Sequence, residues 1–220
     1  MKHGSLKSNA MMAATVLAAM LAAVWLAALD RKNDSQAILL PDRVMTVFPV
    51  PKPLTAFALT DHQHRVFDVS RLKGKWSFLF FGYTHCPDIC PATLAILARA
   101  RDDIANSAVD PGNIQFVFIS VDPNRDTPAK LGEYVAYFHA MLLGATGDDA
   151  QIGNLAGQLD AAYQVEFTPG SENYPVYHSA SVFLVDPQAR YLAMFKPPLD
   201  AETIGRRFKV LQELEAARAK

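Results

Sequence analysis

The apolar run Trp76 to Phe81, the loop Gly82-Tyr83-Thr84-His85-Cys86-Pro87-Asp88-Ile89-Cys90-Pro91 and the amphipathic run Ala92 to Ile104 constrain this chain more than any other stretch. An almost wholly apolar run suits a central strand covered on both faces, and the period behind it suits a helix, so the segment reads as strand, loop, helix. Pro91 fits the first helical position, where its missing N–H costs nothing, and it biases Cys90 out of the helical region. Cys90 is therefore expected at or beside the helix N-cap, where the positive end of the helix dipole favours thiolate over thiol. At least one sulfur is expected to be more acidic than a free cysteine, and both are expected to be exposed and reactive. Cys86 and Cys90 are the only cysteines in the chain. A chain that uses cysteine nowhere else is not using it for packing.

The same order recurs downstream. Ile114 to Val121 reads as a second buried strand, and Thr127 and Pro128 cap and open a helix to about Phe138. Gly144 to Gly147 reads as a turn, Asp148 as the cap of a helix over Asp149 to Ala162, and Tyr163 to Phe167 as a short strand leading into the loop Thr168 to Pro175. Ser179 to Val185 and Arg190 to Phe195 form a hairpin around Asp186-Pro187-Gln188-Ala189, and Asp200 to Ala219 closes the chain as a helix. Upstream, Leu54 to Thr60 and Arg65 to Val69 form an N-terminal β-hairpin. This order predicts an α/β fold, a thioredoxin-like mixed sheet flanked by helices, with the cysteine loop at the carboxyl end of a central strand.

With 220 residues, half of them hydrophobic and 20% charged, the chain supports one main domain. A net charge of -1 with scattered Lys and Arg gives no field for nucleic acid. Residues Ala10 to Leu29 carry no charge and, as a helix, span roughly 30 Å of hydrocarbon. A secretory signal peptide has a similar outline, but the small residues of a cleavage site are missing, so a single N-terminal transmembrane helix is expected. The chain then divides into a short segment 1–9, an anchor 10–29, a proline-bearing tether 30–52 and a domain 53–220. Only a few residues precede the anchor and the whole domain follows it, as expected for an exported domain, so the expected location is a bacterial inner membrane with the domain facing the periplasm or cell exterior. In an oxidising compartment a lone cysteine pair is a redox couple or a metal site.

His178, in Tyr174-Pro175-Val176-Tyr177-His178-Ser179, precedes the penultimate strand, on a loop that this topology brings beside the cysteine loop. Two thiolates and an imidazole suit Cu(I) in a three-coordinate site and, with a fourth ligand, Cu(II), whereas structural zinc wants a closed set of four. The rival is thiol redox chemistry, although its familiar spacing is Cys-x-x-Cys and three residues intervene here.

From about Pro53 to the last helix the chain resembles the Sco/SenC family, membrane-anchored thioredoxin-like copper proteins named for synthesis of cytochrome c oxidase. The resemblance rests on Gly82 to Pro91, on Ser120-Val121-Asp122-Pro123-Asn124-Arg125-Asp126-Thr127-Pro128 and on Tyr177-His178-Ser179-Ala180. It implies copper ligation by Cys86, Cys90 and His178, and a copper chaperone that takes the ion from another carrier and serves the copper centre of cytochrome c oxidase subunit II. It equally implies the alternative of an exported thiol-disulfide oxidoreductase that reduces the target's cysteines through Cys86 and Cys90. A redox or copper sensor is a third reading. One departure lies in the first hairpin, where His64 stands in place of the family's turn glycine.

The remaining polar and soft side chains have plainer expected roles. His85 sits beside Cys86 on a tight loop and is expected to diverge from the ion. Asp88 is expected to cap or orient the loop, and Asp122 and Asp126 to fix the turn beneath it, with no catalytic part. Phe81, Tyr83 and Pro87 are expected to shield the site. Met45, Met141 and Met194 are expected to fill gaps, and His62, His64 and His139 to lie at the surface or act as caps.

Overall fold

The computed structural model describes residues 20–21, 44–106, 113–171 and 173–218. The chain falls into two units, Met1–Leu40 and Pro41–Lys220. Of the first, only Met20 and Leu21 are described, both helical and exposed. The expected membrane span at Ala10 to Leu29 thus lies, but for these two residues, outside the described residues. Among the described residues no helix is long and apolar enough to cross a membrane.

The second unit is built on β4 (Trp76–Gly82). It runs parallel to β5 (Ile114–Ser120), in register from Trp76 opposite Ile114 to Gly82 opposite Ser120, and β5 runs parallel to β6 (Leu142–Thr146). The antiparallel hairpin β9 (Val182–Val185) and β10 (Arg190–Phe195) flanks β4 on its other side, and β1 (Met45–Pro53) closes that edge against β10. Beyond β6 lies the N-terminal hairpin, β2 (Ala58–Asp61) with β3 (Val66–Asp68). The sheet order is β1-β10-β9-β4-β5-β6-β2-β3. A separate antiparallel ribbon pairs β7 (Tyr163–Val165) with β8 (Val176–His178).

Both faces of β4 are covered, which accounts for its unbroken apolar run. Phe78 stacks on Phe116 with ring centroids 4.5 Å apart, and Phe208 of the closing helix α4 (Ala201–Arg218) meets it edge-on at 5.0 Å. On the opposite face Leu79 and Phe81 join the core of Phe67, Ile119, Leu155 and Phe183. Each fully buried Phe contributes roughly 2–3 kcal/mol from burial alone.

The helices that follow the parallel strands are α1 (Ile89–Asn106), α2 (Pro128–Phe138) and α3 (Asp149–Gln158). Thr127 caps α2 by accepting from the Lys130 N–H, with Pro128 in its first turn, and Asp148 caps α3 by accepting from the Gln151 N–H at 2.8 Å. These caps are the expected ones.

Several elements differ from expectation. The end of the proline-bearing tether is strand β1, whose register shifts between Val47 and Lys52. An edge strand needs to offer only some of its N–H groups, so Pro49, Pro51 and Pro53 are tolerated there. Gly144 to Gly147 is not a turn: Gly144 lies within β6, where a Cβ would approach the Leu131 Cβ to 3.0 Å, so the glycine lets α2 pack close to the sheet. Helix α3 stops at Gln158 rather than Ala162, β9 begins at Val182 rather than Ser179, and His178 ends a strand of its own instead of lying on a loop.

Candidate metal centre

The cysteine loop leaves the carboxyl end of β4 and enters α1. Its start is tied down by a carboxylate from the neighbouring β5–α2 connection. Asp126, fully buried, accepts from the Thr84 backbone N–H at 2.8 Å, the Thr84 hydroxyl at 2.5 Å and the Ser120 hydroxyl at 2.6 Å. The Cys86 N–H donates to the Tyr83 carbonyl at 3.2 Å and closes the turn. Asp122, also buried, accepts from the Tyr174 hydroxyl at 2.5 Å and pairs with Arg125, whose guanidinium lies 3.8 Å from the Tyr174 ring centroid. Both aspartates fix the turn beneath the loop, as expected.

Cys90 lies in the first turn of α1 with no exposed surface, while Cys86 is half-buried, and neither is in a disulfide. The Cys90 sulfur packs on Gly82 so closely that a Cβ there would stand 2.5 Å from it and 2.8 Å from the Phe118 ring. Burial pushes the Cys90 thiol pKa up, with a smaller push from the Cys86 sulfur, and a backbone hydrogen bond from Tyr83 works against them. This overturns the expected acidity and exposure of Cys90. Its sulfur faces the interior rather than solvent, and desolvation exceeds the pull of the helix dipole.

His178 is brought in by the ribbon. Tyr163 pairs with it across β7 and β8, and the Ser179 N–H donates to the Ala162 carbonyl at 2.9 Å just beyond. The imidazole is held edge-on between aromatic rings, Phe80 at 5.9 Å and Tyr83 at 5.8 Å. Its Nδ1 lies 3.1 Å from the Ser179 carbonyl and its Nε2 lies 3.3 Å from the Cys90 sulfur. A proton on Nδ1, donated to that carbonyl, leaves the Nε2 lone pair for a ligand. Burial holds the His178 pKa below its ordinary value, opposed by hydrogen bonds to the Ser179 and Phe81 backbone, which favours the neutral ring.

Ligating atoms of Cys86, Cys90 and His178 all lie within 4.8 Å of one another. Two sulfurs and one neutral imidazole are a donor set for a soft or borderline transition-metal ion, and each thiol gives up its proton when the ion enters.

The other candidates stay outside. His85 is exposed and turns away, its Nδ1 3.3 Å from the Thr84 hydroxyl and 3.2 Å from the Lys130 ammonium. Asp88 is exposed. Phe81 does not shield the centre, because strand alternation sends it to the far face against Phe183, and Phe80 takes that place. Met45 is buried as expected, but Met141 is 63% exposed and fills no gap. The Gly82 contact had no signal in the sequence beyond the glycine itself, since a strand glycine marks close approach without naming what approaches.

The fold and the centre together define a thioredoxin-like protein whose dithiol loop is completed by an imidazole from a separate ribbon. The model of the SCO1/SenC family matches residues 51–213, and the chain belongs to that family. An SCO2-like protein of Rickettsia prowazekii is 34% identical over 154 residues, covering 70% of this chain and 74% of its own. The crystal structure of Arabidopsis thaliana ScoI with copper bound is 35% identical with a TM-score of 0.65, covering 72% of this chain and 98% of that one. Yeast Sco1 with copper bound is 30% identical with a TM-score of 0.66, covering 77% and 95%.

Proposed function

We propose that this protein is a membrane-anchored copper chaperone in which Cys86, Cys90 and His178 hold one copper ion, and that it serves assembly of the copper centre of cytochrome c oxidase subunit II. The observation that carries the reading is the convergence of these three donors within 4.8 Å, two from one loop and helix start and the third from a ribbon 88 positions beyond Cys90. Copper is the soft ion that this donor set fits with no further protein ligand. The uncharged run Ala10 to Leu29 supports an anchor, and a domain on the periplasmic or outer side is where a lone dithiol and a copper acceptor would meet. The ion is cargo: it arrives from another copper carrier and leaves by ligand exchange, thiolate for thiolate.

Titration of the reduced protein with Cu(I) and Cu(II) is expected to saturate at one ion per chain. Undiminished affinity in His178→Ala would sink the three-donor reading.

A second reading, an exported dithiol reductase, is favoured by one observation, the unpaired cysteines at the start of α1. Full biological activity of His178→Ala beside loss of activity in either cysteine variant would decide for it.

A further inference from the structure

Beside the metal centre, and sharing His85 with its loop, lies a pocket of about 380 Å³ between the start of α2 and the β7–β8 connection. Its walls include Arg125 and Lys130, and its floor is aromatic, with Phe167 and Tyr174 edge to face at 5.4 Å. None of these groups ligates the ion in the reading above. We propose that this pocket receives an acidic side chain of the protein that exchanges copper with this chain. The inference rests on the copper reading and adds the chemistry of the partner's contact.

The charges around the pocket are sorted by depth. The Lys130 side chain is 39% exposed, whereas Asp126, its nearest carboxylate at 3.8 Å, is fully buried. Arg125 is 12% exposed and its partner Asp122 is likewise fully buried. Both carboxylates are already hydrogen-bonded through both oxygens, Asp126 by Thr84 and Ser120, Asp122 by Tyr174 and Arg125. An approaching group therefore meets the cations first, with the anions behind them.

The cations are also held in place. Lys130 donates to the Arg125 carbonyl at 3.0 Å, and Arg125 is held between Asp122 and the Tyr174 ring, its guanidinium 3.8 Å from the ring centroid. Preorganised donors spare an incoming carboxylate the cost of ordering them. Phe167, 52% exposed, offers apolar cover for the methylenes of a glutamate. The pocket is too small for a folded element and ample for one or two side chains. Because His85 lines the pocket and immediately precedes Cys86, an acidic residue seated there brings its own chain neighbours to the cysteine loop.

In the exchange itself no redox change occurs. The Cu–S bond to Cys86 breaks, a Cu–S bond to the partner's thiol forms, and the partner thiol's proton passes to the displaced Cys86.

The test uses the full chain loaded with Cu(I) and two peptides that differ only in charge, Ac-Cys-Gly-Glu-NH2 and Ac-Cys-Gly-Gln-NH2. At low salt the glutamate peptide is expected to withdraw copper about threefold faster, the scale of one surface ion pair. Lys130→Gln should abolish that preference, Lys130→Glu reverse it and Lys130→Arg retain it, with copper stoichiometry unchanged in all three. Equal rates for the two peptides on the unaltered chain, or a preference that survives Lys130→Gln, would overturn the proposal. A metal-free arm separates it from the copper reading: Ac-Ser-Gly-Glu-NH2, but not its glutamine counterpart, should shift the backbone amide resonances of His85, Lys130 and Ser171. These shifts support the pocket even if the chain holds no copper, and their absence overturns it. Blockage of the site by micromolar inorganic phosphate would overturn it in favour of a free anion.

Discussion

The Cys90 sulfur and the His178 Nε2 lie 3.3 Å apart although 88 positions separate them in the chain. Neither reaches the other through its own element. Cys90 is set by the packing of α1 on β4, and His178 by the β7–β8 ribbon, so the contact reports on both at once. Copper that joins them cross-links two parts of the fold. Loading is expected to stabilise the fold by at most about 4 kcal/mol at a free concentration 1,000 times Kd, less what the unfolded dithiol itself binds, and so to raise the thermal midpoint. Calorimetry before and after a Cu(I) chelator checks this, and His178→Ala should lose most of the increment.

Gly82→Ala tests the floor beneath Cys90. The added methyl would stand 2.5 Å from the Cys90 sulfur and 2.8 Å from Phe118, so one of them has to move. A loss of about 1–3 kcal/mol in urea unfolding is expected from overpacking. Copper affinity should fall with it, since the displaced atom is a donor.

Asp126→Ala leaves the Thr84 N–H, the Thr84 hydroxyl and the Ser120 hydroxyl without their acceptor. Stranding buried donors costs about 1–3 kcal/mol for each group that water cannot reach. Amide hydrogen exchange at Thr84 should accelerate more than the global loss of stability explains, because the cysteine loop loses its tie to the β5–α2 connection.

His64→Gly is expected to stabilise the protein. His64 has a φ of 60°, in the left-handed region that costs a side chain about 1 kcal/mol or more, although the extra freedom of glycine in the unfolded chain offsets part of the gain. Chemical denaturation should show a higher midpoint, with copper binding unchanged.

Asp61 gives the fold an acid-sensitive element. Burial works against its carboxylate, but the Arg65 and Gln63 backbone N–H groups, each at 2.9 Å, and the Arg65 side chain prevail and lower its pKa from 3.8. A carboxyl whose pKa is lower in the folded state stabilises the fold above its unfolded value, and the contribution is lost as pH falls through the folded one. The slope of unfolding free energy against pH below about 4 should be shallower in Asp61→Asn than in the unaltered chain.

How much of this was legible depended on whether a residue's role is local. The apolar runs of β4 and β5, the hairpin β9–β10 apart from its first three residues, and the caps Thr127 and Asp148 are statements about neighbours in sequence, and they form as the pattern indicated. The pairing of β1 with β10 was hidden by its prolines, and β6 by Gly144, whose purpose is the approach of Leu131 from another element. Cys86, Cys90 and His178 were legible as a set through the family motif, and the structure brings their ligating atoms together. The acidity expected of Cys90 failed because the helix dipole is a local property, while the burial that opposes it comes from tertiary packing, with Gly82 of β4 close against the sulfur.

The unequal depth of the two sulfurs sets an order of events. Cys86 retains a solvent-facing side and Cys90 has none. In the transfer proposed above, a ligand offered by another protein would therefore meet the ion from the Cys86 flank, and the bond to Cys90 would be the last to break. Capture runs the same sequence backwards, so a complex trapped with Cys86→Ser and one trapped with Cys90→Ser should stop at different stages of the handover.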